Sequence, residues 1–124
     1  MTATRGNPVV LVVDDDLGLV CWLGQIFSEV DCRVVPALNC RQAVSLTAKL
    51  NVRVDVIVVN PELERVPEMI QKLSFRRTVK VVALRNHDGR DGAAIGADSR
   101  LERPSAEQPL LHEEWLERAR GVLR

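Results

Sequence analysis

Apolar residues follow two rhythms along this chain, and the alternation between them lays out a fold. Five short runs are dense in Val, Ile and Leu or close on a turn signal, at residues 9–13, 32–36, 55–59, 79–84 and 99–102. The first, third and fourth are continuously apolar, as strands covered on both faces must be. Between them the period changes to that of a helix. Leu19, Leu23, Ile26 and Val30 follow Asp16, which is placed to cap a first helix, and Ala43, Leu46 and Leu50 follow Asn39 as the cap of a second. A last helix is predicted from about Glu107 to the end, with Leu111, Trp115, Ala119 and Val122 on one stripe. Two intervening helices are weaker. Residues 67–73 make about two turns, and residues 86–97 contain Gly89, Gly92 and Gly96, each costing about 1 kcal/mol relative to alanine inside a helix. Strands alternating with helices predict an α/β domain with a parallel sheet and helices on both faces.

Composition narrows the function classes. The chain has 124 residues, 46% of them apolar, which suits a single domain over 1–124. Lys plus Arg and Asp plus Glu stand at 17 each, so net charge recruits neither nucleic acid nor an anionic membrane. Cys21, Cys32 and Cys40 are odd in number and lack the spacing of a disulfide framework or zinc site, which points to a reduced, cytoplasmic setting. His87 and His112 have no ligand partner at metal spacing. No apolar run exceeds about 6 residues, against roughly 18 for a membrane span.

The chemistry lies where the strands stop. PVVLVVDDD ends in Asp14, Asp15 and Asp16, VDVIVVNPEL ends at Asn60 before Pro61, and GADSRLERPS ends at Arg103 and Pro104. In a doubly wound sheet, ligands gather outside the carboxyl ends of the strands, so these residues belong to one site. Their order, with VLVVDD first and GAD..L.RP last, resembles the receiver domain of two-component response regulators over essentially the whole chain. The resemblance implies a flavodoxin-like fold with sheet order 2-1-3-4-5. It also implies a site built from Asp14, Asp15, Asn60, Arg85 and Arg103.

Residue by residue, the resemblance implies the following. Asp14 and Asp15 match the acidic pair that holds magnesium. Asn60 stands at the phosphoacceptor aspartate, Arg85 at the serine or threonine that contacts the phosphoryl group, Arg100 at an aromatic switch position, and Arg103 at the lysine. An amide has neither the nucleophilic oxygen nor the charge that phosphoryl transfer requires. The expectation is therefore a pseudo-receiver with no catalytic residue and no cofactor, magnesium included. Without a metal, the acidic pair needs a counter-charge, and Arg85 or Arg103 is placed to supply it.

Two further departures bear on partners. The intervals from Asn60 to Arg85 and from Arg85 to Arg103 are each short of the usual receiver by roughly one helical turn. The stretch LGLVCWLGQIF is apolar almost all round, with Val20 and Cys21 where receivers usually carry charge. Val20, Cys21 and Trp22 are thus expected at an exposed interface, unless the last helix covers them. The reading that follows is a phosphorylation-independent interaction module of a phosphorelay. Its partner would be a histidine kinase, an effector or a second copy of the chain. Alternatives are a phosphorylatable receiver using Asp14 or Asp15, and a flavodoxin-like domain for a small ligand, although DDDLGL lacks a phosphate-cradling glycine loop.

Overall fold

A computed structural model describes residues 6–75, 77–85, 95–104 and 111–124. Five strands, β1 (Val9–Val13), β2 (Arg33–Ala37), β3 (Val56–Val59), β4 (Lys80–Arg85) and β5 (Ser99–Glu102), form one parallel sheet in the order β2-β1-β3-β4-β5. The helices are α1 (Leu17–Glu29), α2 (Cys40–Leu50), α3 (Val66–Leu73) and α4 (His112–Leu123). This is the architecture expected from the sequence. The helical stretch expected around residues 86–97 lies almost wholly outside the described residues, Gly89 and Gly92 among them.

Two apolar layers sandwich the sheet, which is why β1 and β3 are apolar at every position. Val10 and Val12 face α1 and α4 together with Val58, Val82 and Leu84, while Leu11 and Val13 face α2 and α3 with Ile57, Val59 and Val81. Neighbouring side chains along a strand point to opposite faces, so a strand covered twice can spare no polar position. Pro36 is confined to the edge strand β2, where a missing N–H does least harm.

Local chemistry fixes the helix starts. The Asp16 carboxylate accepts the Leu19 N–H at 3.1 Å, and Asn39 Oδ1 accepts the Gln42 N–H at 2.7 Å. Both caps are those the sequence indicates. Asn51 closes α2 in the left-handed region at φ 50°, a conformation asparagine tolerates.

Three expectations about helix faces are corrected. Val20 is 1% exposed, inside the layer between the sheet, α1 and α4, so it is core rather than interface. Leu50 and Leu111, read as stripe residues, are 56% and 72% exposed. Leu50 is the last residue of its helix and Leu111 precedes its own, where the chain leaves the apolar layer.

Candidate functional site at the carboxyl ends of the strands

The parallel ladder continues one residue past several strands, and this aligns the site. Asp14 N–H donates to the Ala37 carbonyl at 3.1 Å, Asn60 N–H to Val13 at 3.0 Å, and Arg103 N–H to Arg85 at 3.1 Å. Backbone pairing therefore fixes Asp14, Asn60, Arg85 and Arg103 along one rim of the sheet. The polar residue closing each apolar run is held as firmly as the strand before it.

Asp14 is fully buried, and both its oxygens are engaged. Oδ1 accepts the Asp16 N–H at 2.9 Å, and Oδ2 accepts from Nη2 of Arg103, which reaches across from the end of β5. Burial raises the Asp14 pKa above its ordinary value; the Asp16 N–H and the Arg103 guanidinium oppose the rise, and the neighbouring Asp15 adds to it. The Arg103 side chain is itself 19% exposed, with its Nε buried and unpartnered. One of the two candidate arginines thus supplies the counter-charge. Arg85, the other, is half-buried and makes no ion pair among the described residues.

Asn60 is 8% exposed. Its Oδ1 accepts the Glu62 N–H at 2.9 Å and its carbonyl accepts the Leu63 N–H at 3.3 Å, so the residue organises the turn out of β3. Asp15 and Arg100 are exposed, Arg100 on β5. Among the described residues no cluster of three or more His, Cys, Asp or Glu side chains is placed to hold a metal.

The α1 trio separates. Val20 is core and Cys21 is exposed. Trp22 is half-buried, its ring edge-on to Trp115 of α4 at 4.7 Å between centroids and 85° between planes. The Arg118 guanidinium lies over the Trp115 ring, 5.4 Å from its centroid. Beside this stack, Gly18, Trp22, Arg103 and Pro104 line a shallow cleft next to the Asp14–Arg103 pair. Sequence reasoning missed that cleft because its walls come from residues about 80 positions apart, and no local pattern joins them.

No protein-family model and no curated sequence matches the chain. Solved structures do. CheY6 from R. sphaeroides, crystallised in complex with the P1 domain of CheA3, aligns with a TM-score of 0.73 at 22% identity, covering 96% of this chain and 98% of that one. The chain has the fold of response regulator receiver domains. A putative response regulator from Chloroflexus aurantiacus J-10-fl aligns at TM-score 0.69 and 18% identity, covering 94% and 98%. The chemotaxis response regulator CheY4 of Vibrio cholerae aligns at 0.66 and 20%, with the same coverage. No described helix is long and apolar enough to cross a membrane.

Proposed function

We propose that this chain is a receiver domain of a two-component phosphorelay that has lost aspartyl phosphorylation and acts on its partner through protein contact. The observation that carries this reading is the pairing of Arg103 with Asp14, opposite an amide at position 60. A working site needs two carboxylates for a hard cation and a third to attack. Here Asp14 has no free oxygen, Asn60 carries no charge, and only Asp15 faces water. This set does not fit magnesium. Arg85, on the same rim, makes no ion pair among the described residues.

The chain is read as one non-enzymatic, cytoplasmic domain over residues 1–124. Its partner is a signalling protein such as a histidine kinase or an effector. The CheY6 complex with the P1 domain of CheA3 supports a partner of that kind, as the two folds agree over nearly the full length of both chains. A receiver phosphorylated on a substitute carboxylate is the second reading, and exposed Asp15 is its candidate.

Acetyl phosphate or beryllofluoride with magnesium is expected to leave intact mass and amide NMR spectrum unchanged. A stable phosphoryl adduct that disappears in Asp15→Ala would overturn the proposal in favour of the second reading.

A further inference from the structure

The cleft between α2 and α3 lies away from the Asp14–Arg103 pair and encloses about 300 Å³, at the small end of ligand cavities, which run from roughly 300 to 1,000 Å³. Arg41 and Val44 approach it from α2, three residues apart and so on one face. From the other wall come Arg65, Glu68, Met69 and Lys72, whose spacing places them on one stripe of α3. Met69 and Cys40 are buried beneath and Val44 is half-buried, so the floor is apolar while the rim is charged.

The rim carries a positive excess. Arg41, Arg65 and Lys72 make no ion pair among the described residues, and Glu68 is the sole carboxylate among the lining residues. Cations beside an apolar wall attract an anion more strongly than cations in open water. Nothing on the floor opposes one. Burial, and after it Glu68, pushes the Cys40 thiol up, so it remains neutral at physiological pH. Arg65 also stands in the left-handed region at φ 67°, where glycine would be relaxed, and its side chain gives α3 no cap.

We propose that this cleft binds a small anionic ligand, a carboxylate, sulfonate or phosphate on a short apolar body, with Arg41 and Arg65 taking the charge and Val44 and Met69 the apolar part. The cleft adjoins the site through the chain itself: Arg65 ends the turn that Asn60 organises, in which the Asn60 side chain holds the Glu62 N–H. Occupancy would therefore serve as an input in place of phosphorylation. That second step rests on the function proposed above; the binding does not.

The test is titration with 1-anilinonaphthalene-8-sulfonate, an anion on an apolar body, followed by fluorescence and amide NMR. Saturable binding is expected, with shifts gathered on Val44, Ser45, Arg65 and Met69 and carried to the Glu62 amide. Arg65→Gly removes the charge and relaxes the backbone, so it should fold, and it should weaken binding about tenfold. Arg53→Ala, outside the cleft, should leave binding unchanged. Shifts centred elsewhere, or full affinity in folded Arg65→Gly, overturn the site. Binding without a shift at Glu62 overturns the input role only. Failure of the phosphorylation-independent reading would appear separately, as a phosphoryl adduct.

Discussion

Asp14 is the residue on which the site turns, because a fully buried carboxylate must be either neutral or matched by positive charge. The chain does some of each: Arg103 reaches Oδ2, while burial pushes the pKa upward. A folded-state pKa above the ordinary value of 3.8 favours the folded protein below that pH, and the benefit is lost as pH rises through the raised value. Wild type should thus gain stability relative to Asp14→Asn as pH falls through that window. Carbon-detected titration of the carboxyl and urea midpoints at several pH values measure it, and a carboxyl titrating below 3.8 refutes it. Position 60 gives a companion expectation. Asn60→Asp sets a second carboxylate beside buried Asp14 and should cost about 1–2 kcal/mol without metal. Added magnesium should raise the melting temperature of that variant and not of wild type, as scanning calorimetry would report. The identities of Asn60 and Arg103 were legible because each closes an apolar run. That Asp14 would be wholly buried, and that Arg103 rather than Arg85 would reach it, depends on how β5 lies against β1 across two intervening strands, which no local pattern encodes.

At the scale of elements, periodicity says which residues are apolar but not how many neighbours will cover them. The expected ranges of β1 and β5 coincide with the observed ones, and those of β2, β3 and β4 differ by one residue. Helix α1 shows where that kind of reading stops. Its excess of apolar residues resembles an open interface in sequence, yet α1 is wedged between the sheet and α4, with Trp22 edge-on to Trp115 and Glu29 within 3.1 Å of His112. A helix with two partners needs a wider apolar arc than a helix with one. Val20→Glu therefore buries a charge and should lower stability by roughly 3 kcal/mol or more. Cys21→Glu, one position along on the exposed side, should change it by under about 0.5 kcal/mol. Urea unfolding separates the two. Equal effects, or a folded Val20→Glu that merely dissociates an oligomer on sedimentation, would return Val20 to the surface.

Across the whole molecule, the Asp14–Arg103 pair links an interior strand of the sheet, β1, to the far edge. Strand β5 is four residues long, pairs on one side only with β4, and contributes a single buried side chain, Leu101, to the layer under α4. Such an edge should open before the central strands do. Two things anchor its ends: the Asp98 carboxylate, which accepts the Val81 N–H at 2.9 Å, and Arg103 on Asp14. In a switching receiver, this rim must exist in two arrangements that a ligand can choose between. A fixed internal cation in place of an exchangeable one removes that choice at this rim, so any change of state has to be driven from elsewhere in the domain. Arg103→Met keeps much of the side-chain volume and removes the tie. Amides of Ser99–Glu102 should then exchange with solvent faster by more than the global loss of stability accounts for, while those of β1 and β3 should follow the global loss alone. Native-state hydrogen exchange at low denaturant resolves the two classes. Uniform acceleration across the sheet would mean that the pair contributes only overall stability and does not hold the edge.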